Sequence, residues 1–324
     1  MNGIPVESEV QNIMIRQAVE QYQQDSEEMM AHHVPVMFNE ILEYLKPSSE
    51  AVFVDGTLGL GGHAEAILRL IGPAGRLIGI DRDERSLRQA QERLAPFSQQ
   101  CAFIHDDFRN VDTVLRRLEI PSVDGILLDL GVSSFQLDDP QRGFSLRFDG
   151  PLDMRLDQDS PISAYDLVNS LSEKELSAII KDYGQERWHS RIARYLVSER
   201  VKHPIETTQE LREIILRAIP YRNYKEKIHP ATRTFQAFRI AVNRELEALE
   251  VALDRCVASL KPNGRIAVIA FHSLEDKIVK EKFRSMARAG QVRLLVKKPL
   301  RPSEQESTQN PRARSARLRI AERI

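Results

Sequence analysis

The sequence predicts a Rossmann-like α/β fold with a mostly parallel sheet, interrupted by an inserted all-helical domain. Short apolar strands alternate with amphipathic helices between residues 52 and 129, the pattern of βαβ units in a parallel sheet. A glycine-rich turn follows the first strand, as in nucleotide-binding folds. The alternation then stops, and residues 163–220 contain helical stretches but no convincing buried strand.

The first part of the chain divides into strands and helices at its apolar runs and breakers. Strands are predicted at 52–54, 76–80, 102–105 and 125–129. Helices are predicted at 64–71, 86–94 and 111–118. The run Gly72-Pro73-Ala74-Gly75 ends the first helix. Each strand is therefore joined to the next by a helical crossover.

The second part begins with a polar loop at 138–160 and continues with helices that include 173–183 and 190–198. A long helix at 232–252 carries Phe235, Phe238, Val242 and Leu246 on one face. Strand character returns at 264–271, and a helix of about 274–287 follows. Two last strands at 292–296 and 316–321 can pair as an antiparallel hairpin.

These elements predict four segments. The predicted boundaries are an N-terminal extension at 1–31, a first part of the α/β domain at 32–139, an inserted helical domain at 140–245 and a second part of the α/β domain at 246–324.

Composition excludes several classes of protein. The net charge of −1 excludes a polycation, so any nucleic-acid site must arise from local clusters of charge. Two cysteines cannot build a disulfide framework, and no Cys/His cluster has zinc-ligand spacing, so no metal is expected. The most apolar run, 266–271, is too short to span a bilayer, and the N-terminus lacks a signal-peptide pattern. The expected location is the cytoplasm.

The glycine-rich loop leaves two cofactors open. Residues 59–64 match the pattern G-x-G-x-x-A, and Asp81 closes the second strand about 20 residues downstream. Glycines let the backbone approach a ligand, and a carboxylate accepts hydrogen bonds from ribose hydroxyls. Both NAD and S-adenosylmethionine use this arrangement.

Three observations favour S-adenosylmethionine. Asp55 precedes the loop, where a carboxylate suits an ammonium group and repels a pyrophosphate. Asp129 ends the fourth strand and faces the same crevice. The C-terminal hairpin is, by fold analogy, a methyltransferase trait.

Several longer motifs resemble those of the bacterial RsmH (MraW) methyltransferases, in the same order, from about residue 32 to the C-terminus. They are DGTLGLGGH at 55–63, IDRD at 80–83, LLDLGVSS at 127–134, DGPLDMR at 149–155, YGQER at 183–187, HPATRTFQ at 229–236, FHSLED at 271–276 and NPRARS at 310–315. The N-terminal extension departs from the family. It is either additional sequence of no catalytic weight or a segment that covers the RNA face or the surface of a homodimer.

The resemblance implies a class I methyltransferase with a seven-stranded sheet that methylates the exocyclic N4 of a cytidine in the decoding region of 16S ribosomal RNA. It also implies S-adenosylmethionine contacts at Gly61, Gly62, His63, Asp81, Phe108, Asp129 and Gln136. In this interpretation the glycines admit the methionine end, Asp81 binds the ribose and Phe108 packs on adenine. Each residue also has a structural interpretation: Phe108 as core, His63 as a helix start and Gln136 as loop surface.

A cytosine amine is a poor nucleophile because its lone pair is conjugated into the ring, so positioning must supply much of the rate. The hypothesis is that Asp129, or a backbone carbonyl beside it, accepts a hydrogen bond from the amine, with His272 or Ser133 assisting. His272 could equally be a structural support. Ser273 and Asp276 have the spacing of a helix capping box.

Two basic or polar surfaces are candidates for RNA binding. Residues 293–324 contain nine Arg/Lys against three Glu. A polar stripe on the inserted helix consists of Arg233, Gln236, Arg239 and Asn243. Either could instead be an ordinary solvated face. The target base would have to be flipped out or already single-stranded.

Two other classes of function stay open at this stage. One is an NAD-dependent oxidoreductase, which uses the same glycine-rich loop. The other is a non-catalytic ribosome-assembly factor that retains the cofactor site. The partner in the favoured interpretation is 16S ribosomal RNA, within the small ribosomal subunit.

Overall fold

The structure, a computed structural model, describes residues 35–220 and 228–324. These residues form two compact units. The first unit combines residues 35–131 with 247–324, and the second unit spans residues 132–246. The predicted N-terminal extension at 1–31 lies outside the described residues.

The first unit is built on a seven-stranded sheet. Its strands are β1 (Val52–Asp55), β2 (Arg76–Asp81), β3 (Cys101–His105), β4 (Val123–Asp129), β5 (Leu260–Ala270), β6 (Val292–Leu294) and β7 (Arg317–Arg323). Their order is β3-β2-β1-β4-β5-β7-β6. The first five are parallel, whereas β7 runs antiparallel to both β5 and β6. The predictions of a mostly parallel seven-stranded sheet and of a C-terminal hairpin are confirmed.

Helices cover both faces of this sheet, which is why its central strands are apolar along most of their length. Successive residues point to opposite faces. Phe53 and Leu77 pack with α1 (Phe38–Leu45), α2 (Gly62–Ile71) and α3 (Glu84–Arg93), whereas Val54 and Ile78 pack on the other side. The helices on that other side are α4 (Val111–Arg117), α11 (Glu245–Ser259) and α12 (Ser273–Arg288).

The second unit is helical. Its helices are α5 (Ser134–Asp138), α6 (Ala164–Ser170), α7 (Glu173–Asp182), α8 (His189–Arg200), α9 (Thr208–Ala218) and α10 (Thr232–Asn243). Ser163, Ser172 and Thr207 begin α6, α7 and α9 with capping boxes, in which the side chain accepts a hydrogen bond from the third helical residue. These capping residues therefore fix where the three helices begin.

The prediction of one helix over 232–252 is wrong. Arg244 adopts a left-handed backbone conformation with φ 50°, and it separates α10 from α11. The two helices pack into different cores. Phe238 of α10 lies in the core of the second unit, and Leu249 of α11 lies in the core of the first unit.

One more helix, α13 (Glu304–Gln309), lies in the connection between β6 and β7. Among the helices in the described part of the chain, none has the length and apolar character needed to cross a membrane.

Candidate active site

Three carboxylates lie at the same edge of the sheet because they end, or directly follow, neighbouring parallel strands. Asp55 ends β1, Asp81 ends β2 and Asp129 ends β4. β1 lies between β2 and β4 in the sheet. The structure thus brings together three of the acidic side chains that the sequence singled out for the crevice at the carboxyl ends of the strands.

The glycine-rich loop joins β1 to α2 and is tied to the end of β2. Asp81 Oδ2 accepts a hydrogen bond from the Gly59 N–H at 2.7 Å, and its Oδ1 accepts one from the Asp83 N–H at 2.8 Å. Gly61 has φ +78° and directly precedes α2. The N–H groups of Gly62 and His63 lie in the first turn of this helix, where backbone donors have no acceptor within the helix. Within the part of the chain that the structure describes, the loop therefore presents backbone donors with no acceptor in their own helix next to the carboxylates.

Phe108 lies on the other side of this loop, in a short 3-10 helix after β3. Its ring is half-buried against the core. A Cβ on Gly56 would come within 2.5 Å of Leu128 and 3.2 Å of Phe108 Cβ, so only glycine fits there. This close approach places Phe108 beside the loop, where an adenine ring can pack on its exposed part.

Burial and mutual repulsion disfavour the ionised forms of the three carboxyls, so the site would favour a cationic ligand. Burial raises the pKa of Asp55 to about 7, and the nearby charge of Asp81 adds to the effect. Burial likewise raises the pKa of Asp81 to about 6. The pKa of Asp129 is raised well above its ordinary value by burial and then by the charges of Asp55 and Glu275. A bound cation would relieve this repulsion.

Asp129 also has unused hydrogen-bonding capacity. Its backbone N–H donates to Thr57 Oγ1 at 2.6 Å, which fixes the end of β4 to the glycine-rich loop. Its Oδ1 is buried and has no hydrogen-bond partner among the described residues, although about a quarter (26%) of the side chain is accessible. A buried carboxylate oxygen without a partner is uncommon and suggests that a ligand group completes the site.

His63 lies beside Asp129. Its Nε2 is 3.7 Å from Asp129 Oδ2, and its ring stacks on Phe38 with 6.2 Å between the ring centroids. Burial lowers the pKa of His63 to about 3, and the backbone of Val36 offsets only part of this effect. His63 is therefore neutral at physiological pH. The sequence left open whether His63 contacts the cofactor or only begins the helix, and neither interpretation included this contact with Asp129.

His272 begins α12 rather than pointing freely into the crevice. Its Nδ1 accepts a hydrogen bond from the Glu275 N–H at 3.4 Å, and Glu275 Oε2 accepts one from the His272 N–H at 3.2 Å. Its Nε2 lies 3.1 Å from Glu275 Oε1. The prediction of a capping box between Ser273 and Asp276 is wrong, because the chain uses His272 and Glu275 instead.

Ser133 and Gln136 form a capping box of their own in the second unit. Ser133 Oγ accepts a hydrogen bond from the Gln136 N–H at 3.3 Å, and Gln136 Oε1 accepts one from the Ser133 N–H at 2.9 Å. Gln136 is buried. The structural interpretation of Gln136 as loop surface is therefore wrong, because its side chain holds the start of α5.

The polar stripe on α10 makes contacts within the second unit. Arg239 pairs with Glu245 through two hydrogen bonds of 2.9 and 2.8 Å. Asn243 is only 2% exposed and bonds to the backbone of Met154 and Leu156. Asn243 is thus a core residue, contrary to the expectation that it lies on a surface for phosphates.

Eight of the nine C-terminal basic residues fall into two groups. Four make ion pairs or hydrogen bonds within the first unit: Arg293 with Glu322, Arg317 and Arg319 with Asp276, and Arg323 with the carbonyl oxygens of Ala258 and Leu260. Four others are exposed: Lys297, Lys298, Arg301 and Arg314. The exposed group lies in the connection between β6 and β7, which returns to the sheet where Arg317 pairs with Ala270 at the carboxyl end of β5.

Comparison with known proteins agrees with this geometry. The model of the MraW methylase family matches residues 30–324. The chain belongs to the MraW methylase family.

Relatives within that family are similar over nearly their whole length. The ribosomal RNA small subunit methyltransferase H of Geobacter sp. (strain M21) is 49% identical over 90% of this chain and 99% of its own. The protein with the same description from Halothermothrix orenii is 46% identical over 91% of this chain and 99% of its own.

Among solved structures, similarity is found to a putative rRNA-methylase from Clostridium thermocellum, with 11% identity, a TM-score of 0.44 and coverage of 89% of this chain and 93% of the other. A putative methyltransferase from Streptococcus mutans in complex with SAH has 10% identity, a TM-score of 0.43 and coverage of 89% and 95%.

The residues at the carboxyl ends of the strands fit the methyl donor of a methylase. S-adenosylmethionine carries a sulfonium and an ammonium group, and the site offers carboxylates whose ionisation is suppressed by burial and mutual repulsion. Its ribose would need an acceptor, and the carboxyl of Asp81 at the end of β2 is a group of that kind. The dinucleotide alternative fits poorly, because a pyrophosphate would lie against Asp55.

Proposed function

We propose that this chain transfers the methyl group of S-adenosylmethionine to the exocyclic N4 of a cytidine in 16S ribosomal RNA. Membership of the MraW methylase family supports the transfer, and close relatives are named small-subunit ribosomal RNA methyltransferases. The observation that carries the proposal in the molecule is Asp129, an incompletely satisfied carboxyl at the end of β4 beside two further carboxylates.

In the proposed site the methionine end of the cofactor lies against the backbone of Gly61, Gly62 and His63. Asp81 accepts hydrogen bonds from the ribose hydroxyls, and Phe108 packs on the adenine. Support comes from the unused N–H groups in the first turn of α2 and from the partly exposed ring of Phe108 beside the loop. The family resemblance implies that Gln136 also contacts the cofactor. In the structure its side chain caps the start of α5.

The cofactor supplies an electrophilic methyl group, and the chain must make the N4 amine nucleophilic. The accessible part of the Asp129 carboxyl accepts a hydrogen bond from the amine, which raises electron density on nitrogen. As the nitrogen–carbon bond forms and the carbon–sulfur bond breaks, the amine acquires a surplus proton. Asp129 is placed to take that proton, so it acts as general base.

His272 and Ser133 are proposed to assist by positioning. His272 fixes the start of α12, which follows β5 next to the end of β4. Ser133 fixes the start of α5, four residues after Asp129 in the chain. Both polar side chains already serve their own helices, which favours a structural contribution over direct contact with the amine.

The RNA is proposed to bind through the exposed basic residues between β6 and β7, namely Lys297, Lys298, Arg301 and Arg314, and through the helical second unit, residues 132–246. The proposal includes the small ribosomal subunit as the natural substrate and the cytoplasm as the location. A homodimer is part of the same proposal, and sedimentation of the full chain measures it.

Nucleoside mass spectrometry tests the proposed reaction. Small subunits and naked 16S RNA from a strain that lacks this activity are incubated with the purified chain and labelled cofactor, and N4-methylcytidine is quantified. Asp129→Asn is expected to lower kcat by at least about 100-fold. Asp124→Asn, at the opposite end of the same strand, is the matched control and should retain turnover. Full activity of Asp129→Asn, or a product other than N4-methylcytidine, would contradict the proposal.

A further inference from the structure

His63, which is buried, and Asp129, which is partly accessible, form a pair whose contact is incomplete. His63 Nε2 lies 3.7 Å from Asp129 Oδ2, and neither this nitrogen nor Asp129 Oδ1 has a hydrogen-bond partner among the described residues. A closure of roughly 0.8 Å would bring ring and carboxyl to hydrogen-bonding distance. Buried polar atoms are rarely left without a hydrogen bond, so we expect these two to gain partners when ligands fill the site.

The ring of His63 is buried and packs against Phe38. It is 6% exposed and stacks on Phe38 at an interplanar angle of 18°. Phe38 begins α1, and the preceding residue, Met37, donates its backbone N–H to Glu306 Oε1 at 2.7 Å. A ring packed in this way has little freedom to move, so closure must come mainly from the carboxyl of Asp129.

Asp129 has the freedom that His63 lacks. Its backbone is fixed by the hydrogen bond to Thr57 Oγ1, but its side chain can turn about the bond between Cβ and Cγ. Oδ2 is the oxygen nearer the imidazole and Oδ1 is buried, so the turn that pairs Oδ2 with the neutral imidazole must also bring Oδ1 toward the accessible side. This holds whether the shared proton resides on nitrogen or on oxygen.

We infer that the imidazole of His63 is a positioning residue that fixes one oxygen of the Asp129 carboxyl and leaves the other to the target amine. The inference rests on the proposed function of Asp129 and adds a side-chain role for His63 beyond its backbone contact with the cofactor. His63 does not touch the amine. It restricts the orientation of the group that does, and misplacement by about 1 Å can cost 100-fold in rate.

Two substitutions separate this role from cofactor binding. His63→Leu keeps the volume and the backbone N–H but removes both ring nitrogens, whereas His63→Gln restores a polar group that reaches toward Asp129. For His63→Leu the dissociation constant for S-adenosylmethionine, measured by calorimetry, should stay within about threefold of the wild-type value, while kcat falls about 100-fold. His63→Gln should recover about tenfold of that loss.

Two further variants control for packing. Phe38→Leu removes the ring stack and should lower kcat less than His63→Leu does. Glu65→Gln changes the same helix at a residue that pairs with Arg69 and Arg93, away from the carboxylates, and should leave kcat unchanged. Wild-type turnover by His63→Leu would overturn the inference. So would equal losses in kcat and cofactor affinity, since they would make His63 a cofactor-binding residue.

A measurement without turnover keeps the inference separate from the proposed function. The nitrogen-15 resonances of the His63 imidazole, assigned by their absence in His63→Gln, should shift in Asp129→Asn when S-adenosylmethionine is bound. Unchanged resonances would overturn the pairing even if the enzyme is active. Failure of the wild-type chain to form N4-methylcytidine would overturn the proposed function, while a shift in these resonances would still establish the pairing.

Discussion

Asp276 and Arg319 form a buried salt bridge, with 2.7 Å between Arg319 Nε and Asp276 Oδ1. Arg317 Nη1 joins it at 2.9 Å from Asp276 Oδ2. Asp276 lies in the first turn of α12 and both arginines lie on β7, so the network ties the helix that follows β5 to the strand that pairs with β5. It thereby supports the position of His272 at the start of α12.

Asp276→Ala should lower the free energy of unfolding by about 3 kcal/mol, because it leaves a buried guanidinium without its partner. Asp254→Ala is the matched control: Asp254 pairs with Lys282 at the surface, and its loss should cost less than about 1 kcal/mol. Denaturant titration of both variants measures the difference. Equal effects would mean that the network contributes no more than a surface ion pair.

The same network predicts acid sensitivity. Burial alone would raise the pKa of Asp276, but hydrogen bonds from Arg319 and Arg317 outweigh it and hold the pKa below its ordinary value. The unfolded chain therefore binds this proton more tightly, and the stabilisation is present above the ordinary pKa of about 4 and is lost as pH falls through the folded value. Asp276→Asn should lack this component, so its stability relative to wild type should improve as the solution is acidified.

Much of the fold was predictable because strands buried on both faces appear as continuous apolar runs. β1, β2 and β4 lie where the sequence placed them, within one or two residues. The break at Arg244 was not predictable, because the residues on either side of it keep a helical spacing while packing into different cores. Only tertiary contacts reveal that division.

The sequence predicted which side chains of the candidate site lie at the ends of strands. It predicted less well which hydrogen-bond partners the polar side chains have. Asp55, Asp81 and Asp129 lie together because of the topology. The cap of α12 was misassigned, since histidine is not among the residues that usually begin helices and serine is. Asn243 seemed exposed from its helical spacing, but its partners at 154–156 are far away in the sequence.

The glycine-rich loop should respond unequally to alanine at two positions. Gly61→Ala places a Cβ 3.2 Å from Leu94 in a left-handed conformation, whereas Gly59→Ala meets nothing nearer than 3.8 Å. Both should lose about 1 kcal/mol from backbone strain. Gly61→Ala should also weaken S-adenosylmethionine binding about tenfold, equivalent to about 1.4 kcal/mol. Thermal unfolding and calorimetry measure the two quantities, and similar affinities for the two variants would contradict this assignment.

RNA binding should depend on salt through the exposed basic connection. Neutralising Lys298 and Arg301 together should reduce the slope of log affinity against log salt by about 1.4 for a single-stranded target and by about 1.8 for a duplex. The control neutralises Arg88 and Arg116, which are exposed but pair with acidic residues on their own helices. Filter binding of a 16S fragment at several salt concentrations gives the slopes. An equal change in both double variants would show that only net charge matters.

The raised pKa values of Asp55 and Asp81 predict that the free protein loses stability as pH rises. In the folded chain these carboxyls hold their protons up to about 7 and about 6, whereas the unfolded chain releases them near 4. The free energy of unfolding should therefore decline from about pH 4 to about pH 7. A cationic ligand favours the ionised forms, so S-adenosylmethionine should bind more tightly as pH rises, by up to about tenfold per pH unit for each proton released.

Two comparisons separate the two carboxyls. 5′-Methylthioadenosine has the ribose but no ammonium or sulfonium group, so its affinity should rise only near pH 6, where Asp81 ionises, and level off above it. Asp55→Asn should remove the part of the S-adenosylmethionine curve near pH 7 and leave the part near pH 6. Calorimetry from about pH 5 to pH 8 measures both. If the two ligands gave parallel curves, or if Asp55→Asn changed nothing, Asp55 would not be the group that senses the charge of the cofactor.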